Sequence, residues 1–263
     1  MVTETFLIVC ENVYEEFKVA VDLEGFDDTV VSSYPSTCGN PQLGWSALEK
    51  VLAESPDCKY IDIVGGCCIS HLENRSDEGP PLTIHKLPHD LNLFADASLI
   101  NSYIQKGVYM MTPGWLNRWQ HWIDRWGFDQ KLAREFFAEH NKKLVLLDTG
   151  IYSNSLQELQ NISEFLNQPF EILPVGLQQL RLFLTKIVLN NRLKNEQHKS
   201  ELNLAEAQKQ ISDYAMVVDL LMNLVRTTHE ADTIRQIIDL FSMMFSAKEL
   251  LYISFVNNQP QLV

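Results

Sequence analysis

The most constraining feature of this chain is a long segment, 177–225, that contains neither proline nor glycine. Because these two residues are the usual breakers of helices, the segment predicts one long helix. Within it, apolar residues recur at alternating steps of three and four, which is the spacing of a coiled-coil seam. The seam consists of Leu204, Ala207, Ile211, Tyr214, Val218, Leu221 and Val225. The pattern predicts a parallel homodimer through residues 200–226, and a helix packed within its own chain is the alternative.

Upstream of this helix, short apolar runs alternate with segments of helical pattern. The run 5–10 is continuous rather than alternating, which is typical of a strand buried on both faces. Strands that alternate with helices predict an α/β fold, a mainly parallel, Rossmann-like sheet flanked by helices. We expect three parts: an α/β ligand-binding or sensory domain at 1–176, the long coiled-coil helix at 177–226, and a truncated α+β piece at 227–263.

The charge and the cysteines narrow the classes of function. Lys and Arg total 21 against 34 Asp and Glu, a formal net charge of −13. An acidic chain argues against binding to nucleic acid or to an anionic membrane surface. No apolar run approaches the roughly 20 residues of a membrane span, and the N-terminus lacks the basic region of a signal peptide. The odd number of cysteines, with two adjacent, fits reduced thiols in the cytoplasm better than a disulfide framework.

Candidate binding residues follow the ends of the predicted strands. In open α/β sheets, ligands bind beyond the carboxyl ends of the strands. The run 60–65 shows this best, because it ends at a glycine pair that is followed by two thiols and then by His71. The alternative is that glycine and proline simply occur in turns. We predict a ligand-binding set made of Cys10, Glu11, Gly65, Gly66, Cys67, Cys68, His89, Asp90, Thr112, Trp115 and Asp148.

Three members of this set have the donor atoms of a metal site. Cys10, Cys68 and His89 could supply sulfur and nitrogen ligands to zinc, iron or cobalt. The competing interpretation is that the thiols are buried and act as small hydrophobic side chains. His89 and Asp90 form either an acid–base pair or a helix start at which the aspartate is a cap. The cofactor is unknown, and a metal ion or a corrinoid or other tetrapyrrole is the candidate.

Four tryptophans follow the strand predicted at 108–111. Trp115, Trp119, Trp122 and Trp126 are spaced by four, three and four residues, which places them on one face of a helix. Such a stripe indicates a face that packs into the core, and a platform on which a ligand stacks is the alternative.

Several short motifs, taken in order, are similar to those of a known family. They are Cys10-Glu11, Gly65-Gly66-Cys67, Pro88-His89-Asp90, Thr112-Pro113-Gly114-Trp115 and Asp148-Thr149-Gly150. Over residues 1 to about 185 the chain resembles the uncharacterised family called domain of unknown function 1638 (DUF1638). Where that family has a cysteine after the His-Asp pair, this chain has Leu91. The family's association with corrinoid-dependent methyl transfer systems implies a context in methyl metabolism.

The C-terminal part has a resemblance of its own. From Asp213 onward the chain resembles a signalling helix that enters the start of a GAF-type sensor domain, as in multidomain histidine kinases. The chain has no motif for ATP binding or phosphoryl transfer, which favours a non-enzymatic role. We therefore predict a sensory input module that binds a small ligand or metal-bearing cofactor and signals to a downstream module through the dimeric coiled coil. The alternative is an enzyme or cofactor-binding protein of corrinoid or other one-carbon methyl metabolism.

Overall fold

The computed structural model of the chain describes residues 3–38, 43–73, 79–226, 229–245, 249–251, 253–256 and 259–262. These residues belong to two compact units, Met1–Lys194 and Asn195–Val263, and each unit is described by itself.

The first unit alternates strands with helices along the chain. Its strands are β1 (Thr3–Cys10), β2 (Thr29–Tyr34), β3 (Cys58–Gly65), β4 (Leu82–Lys86), β5 (Val108–Met111), β6 (Lys143–Asp148) and β7 (Phe170–Pro174). Its helices are α1 (Tyr14–Glu24), α2 (Trp45–Ala53), α3 (Ala97–Gln105), α4 (Pro113–Leu116), α5 (Trp119–Arg125), α6 (Gln130–His140), α7 (Ser155–Leu166) and the first part of α8 (Gln178–Arg226). Each strand pairing in this unit is parallel, so the predicted α/β class is confirmed.

The strands form two sheets, whereas their alternation with helices predicts one. The first sheet has the order β2-β1-β3-β4 and the second has the order β5-β6-β7. Along β5 and β6, successive side chains point to opposite faces. Met110 and Val145 pack in the core of the first sheet, whereas Met111 and Leu146 pack in a second core with α4 to α7. The smaller sheet is therefore buried on both faces, as continuous apolar runs predict.

The beginning of α8 packs on the first sheet. Leu180, Leu184, Ile187 and Val188 are buried in the core that includes β1 and β3. At about 1.5–3 kcal/mol for each fully buried aliphatic side chain, this stripe fixes the start of the helix firmly to the sheet.

The four tryptophans lie on two short helices and at the residue that follows the second one, rather than on a single helix. Thr112 caps α4 by accepting a hydrogen bond from the backbone N–H of Trp115, at 3.3 Å, and Pro113 opens the helix. Trp119 and Trp122 are buried in the second core, as the stripe predicts. Trp115 is also buried in this core and the half-buried Trp126 packs against it, and both have a further role that is described below.

The second unit contains the rest of α8, α9 (Glu230–Phe245) and an antiparallel hairpin of β8 (Ile253–Val256) and β9 (Gln259–Leu262). The seam residues of α8 are largely exposed, with Ile211 at 67% and Tyr214 at 71%. The last seam position, Val225, has a side chain outside the described residues. Within the part of the chain that the structure describes, no helix is both long enough and apolar enough to cross a membrane.

Candidate functional site

A cavity of about 730 Å³ lies at the carboxyl ends of five strands of the first unit. The segments that follow β1 to β5 each contribute to it, through Asn12, Cys38, Cys67, His89 and Thr112 respectively. The remaining lining residues are Asp90, Leu91, Tyr109, Met110, Met111, Trp115, Arg125, Trp126, Phe128 and Phe136. Its position is the edge at which α/β folds bind ligands, and its size suits a small organic molecule.

One side of the cavity is a continuous series of rings, which we call the aromatic wall. It consists of Tyr109, Trp115, Trp126, Phe128 and Phe136. Successive ring centroids along this series are 5.4, 6.3, 6.0 and 5.2 Å apart, within the range of favourable aromatic pairs. The indole N–H of Trp126 donates a hydrogen bond to the carbonyl oxygen of Cys38, at 3.3 Å. This bond ties the aromatic wall to the loop after β2.

The polar side of the cavity centres on Asp90. Its Oδ1 is buried and has no hydrogen-bond partner among the described residues. Burial raises the pKa of this carboxyl, while the backbone N–H of Gly66 and the charge of His89 oppose that rise. A carboxylate removed from water is costly unless a donor or a cation compensates it. Asp90 is therefore a charged lining residue whose Oδ1 is closed off from solvent beside Gly66.

The glycine pair serves close packing beside the cavity. A Cβ on Gly65 would lie 2.0 Å from Tyr34 Oη, and a Cβ on Gly66 would lie 2.7 Å from Asp90 Oδ1. Neither glycine lines the cavity. Their small size brings β3 against Tyr34 and the segment after β4, rather than allowing a ligand to approach the backbone.

The thiols divide into two groups. Cys38 and Cys67 line the cavity, whereas Cys10 is buried and Cys68 lies with its Sγ 3.7 Å from Tyr34 Oη. Burial raises the pKa of Cys10 and raises that of Cys68 to about 11. Both are therefore neutral thiols at physiological pH, which fits their interpretation as small buried side chains.

Metal binding by these residues stays a prediction. Among the described residues, no three His, Cys, Asp or Glu side chains form a group that could hold a metal ion. The donors proposed from the sequence, Cys10, Cys68 and His89, are thus not assembled as a ligand set.

Glu11 and Asp148 have structural partners away from the cavity. Glu11 Oε1 accepts hydrogen bonds from the backbone N–H of Ser36, at 2.8 Å, and from Arg118, at 2.5 Å. It thereby joins the loop after β2 to the link between α4 and α5. Asp148 Oδ1 accepts a hydrogen bond from the N–H of Gly150, at 3.0 Å, and closes the turn after β6.

The structure brings together part of the ligand-binding set proposed from the sequence. Cys67, His89, Asp90, Thr112 and Trp115 line the cavity, while Cys10, Glu11, Gly65, Gly66, Cys68 and Asp148 do not. The same reasoning about strand ends would have found Cys38, which lies in the loop after β2. It could not have found Phe128 and Phe136, because they follow α5 and lie within α6, far from any strand end.

A buried polar network connects the cavity-forming strands to α8. Asp62, in the middle of β3, accepts a hydrogen bond from Asn191 of α8 at 2.6 Å through Oδ2. Its Oδ1 lies 2.6 Å from Nε2 of His85 in β4, and Asn191 also donates to Thr5 Oγ1 of β1 at 3.2 Å. Asn191 of α8 is therefore bonded directly to β3 and β1, and to β4 only through Asp62. The segments after β3 and β4 carry Cys67, His89 and Asp90.

Comparison with known proteins gives one match. The family model of DUF1638, described as a protein of unknown function, matches residues 45–184. No curated protein and no solved structure matches the chain. The matched region is just over half of the 263 residues and contains most of the cavity lining. The match begins at residue 45, later than the start at residue 1 that we predicted from the sequence motifs. The chain belongs to the DUF1638 family.

Proposed function

We propose that this chain is a sensory input module that binds a small ligand in the cavity and signals through α8 to a downstream module. The observation that carries the proposal is the bond between Asp62 and Asn191. It joins the start of α8 to β3, the strand that leads into Cys67 at the cavity. A ligand that moves the segments after β3 and β4 would therefore shift Asp62 and His85, the side chains whose network holds Asn191 of α8.

Such coupling has a thermodynamic requirement. The ligand must bind more tightly to one arrangement of α8 than to another, because equal affinity would shift no equilibrium. Bonds of 2.6 Å from both Asp62 oxygens make the network sensitive to small shifts of β3 against β4. A displaced strand would break or strengthen the hydrogen bond to Asn191.

The output end is proposed as a dimeric coiled coil. Leu204, Ile211 and Tyr214 are each at least 60% exposed in the single chain. They belong to a series of apolar residues that are spaced alternately by three and four. Such a series can pack against the same series on a second, identical helix. A parallel homodimer would bury this stripe along residues 200–226. We also propose that α9 and the β8–β9 hairpin begin a GAF-like module, since they follow the helix in the expected order.

Disulfide trapping of the full-length chain tests the dimer. In a parallel dimer the two Ile211 residues face each other, so Ile211→Cys should crosslink rapidly at micromolar protein. Lys209→Cys is the matched control, because position 209 lies on the outer face of the same turn. The unsubstituted chain gives the background from Cys67, which is exposed. Equal trapping at both positions, or a monomer with Ile211→Cys, would contradict the relay.

The same preparation distinguishes the sensory role from the alternative in one-carbon metabolism. Metal analysis and a visible absorption spectrum should be recorded on protein from its native host. A stoichiometric metal or chromophore, together with activity that survives deletion of the chain beyond Leu193, would favour the enzyme. Dimerisation through the seam without either would favour the sensory module.

A further inference from the structure

We infer that the cavity takes an amine with a flat, apolar body, whose ring packs on the aromatic wall and whose ammonium group approaches Asp90. This inference rests on the proposed function, since it specifies the ligand class of the same cavity. It follows from the rings, from the carboxylate, and from the positions of the nearby positive charges.

The aromatic wall favours a ligand that is both flat and positively charged. Five rings present apolar faces and edges against which another ring packs well. The faces of Trp and Tyr also attract a cation within about 6 Å of the ring centroid. Phe128 and Phe136 add purely apolar rings to the wall, so the cavity as a whole matches a molecule with an apolar body and one charged end.

Asp90 supplies the charge that selects the ligand. It is the carboxylate among the described lining residues, so it places a negative charge at the cavity. An ammonium group in the cavity would offset the desolvation of this carboxylate. A ligand carboxylate placed there would instead meet a like charge.

Among the described residues, the positive side chains in and around the cavity are either paired or exposed to solvent. Arg118 is paired with Glu11 at 2.5 Å. Arg125 is exposed at the rim, where it donates to the carbonyl oxygen of Ser36 at 3.4 Å and lies 5.9 Å from the ring of Trp122. His89 is likewise exposed. The formal net charge of −13 also attracts cations and repels anions over the whole surface.

Three probes that share one ring system test the inference: indole, tryptamine and indole-3-propionate. Each is titrated at pH 7 into the full-length chain with ¹⁵N-labelled indoles, and Trp115 and Trp126 are assigned by Trp→Phe variants. We expect tryptamine to shift these two signals and to bind at least tenfold more tightly than indole-3-propionate. Asp90→Asn should weaken tryptamine about tenfold and leave indole unchanged.

The outcomes separate this inference from the proposed function. Equal binding of the three probes, or tighter binding of indole-3-propionate, would overturn the amine but leave a ring-binding cavity in place. If no probe shifts Trp115 or Trp126, the inference fails, while trapping at Ile211 still decides the sensory relay independently. The ranking of the probes on the unsubstituted chain is decisive even if Asp90→Asn does not fold.

Discussion

Nδ2 of Asn191 lies 2.6 Å from Oδ2 of Asp62, and both side chains are only 2% exposed. A carboxylate on the covered face of a sheet needs donors, because burial without them costs several kcal/mol. Asn191 donates a hydrogen bond to Oδ2 of Asp62, and Nε2 of His85 lies 2.6 Å from Oδ1. The pair therefore specifies where α8 sits along β3, in addition to the apolar contacts that hold the helix to the sheet.

Replacing Asn191 by leucine should destabilise the first unit by about 1.5–3 kcal/mol, because a buried carboxylate loses its donor. The measurement is urea unfolding at pH 7, monitored by the fluorescence of the tryptophans. Asn190→Leu is the matched control, since residue 190 is exposed on the same helix and the substitution changes helix propensity equally. Similar losses of stability at both positions would show that the network contributes little.

Glu16 makes stability depend on pH. This α1 residue is fully buried, one of its oxygens has no partner among the described residues, and burial raises its pKa from 4.5 to about 7. Between these values the folded chain keeps a proton that the unfolded chain loses. The contribution of Glu16 to the free energy of unfolding is therefore fully present below pH 4.5. As the pH rises to 7 this contribution is lost, and the free energy of unfolding falls by about 3 kcal/mol.

Glu16→Gln should remove this part of the pH dependence. Relative to the unsubstituted chain, the variant should gain more stability at pH 8 than at pH 5. The test compares unfolding free energies of the variant and the unsubstituted chain at both pH values. Glu15→Gln is the control, because Glu15 is exposed, pairs with Lys18 at the surface and is the smallest of the causes that shift the pKa of Glu16. A constant difference between Glu16→Gln and the original chain at both pH values would refute the assignment.

Gly65→Ala should be strongly destabilising, because its new methyl group would lie 2.0 Å from Tyr34 Oη. We expect a loss of about 3 kcal/mol, typical of severe overpacking. Tyr34→Phe removes the clashing oxygen, so the double variant should recover part of the loss, although Ile69 stays close. The double-mutant cycle measures this coupling. Additive effects of the two substitutions would contradict the predicted contact.

The five cysteines should react with iodoacetamide in a defined order, with Cys67 first. Cys67 is exposed, Cys38 and Cys68 are half-buried, and Cys10 and Cys58 are buried. With a pKa of about 11 rather than 9.0, Cys68 has about 100-fold less thiolate at pH 8. Peptide mass spectrometry after timed quenching gives each rate, and Cys67→Ser should abolish the fast phase. Early labelling of Cys10 would be inconsistent with this fold.

Local patterns in the sequence predict the strands, the long helix and the α/β class, because these depend on apolar periodicity and on the absence of helix breakers. They also direct attention to the segments after the strands, where Cys67, His89 and Asp90 line the cavity. What they do not predict is long-range packing. The division into two sheets depends on which strands pair, and the contribution of Phe136 depends on how α6 packs beside α5.

The cavity is bounded by residues that belong to both hydrophobic cores of the first unit. Its aromatic wall includes Trp115 of the core around β5 to β7, whereas the buried neighbours of Cys67 and Asp90 belong to the four-stranded sheet. A ligand that contacts both sides would link the two cores. Its binding would then make the whole first unit more rigid, including the sheet on which the first part of α8 packs.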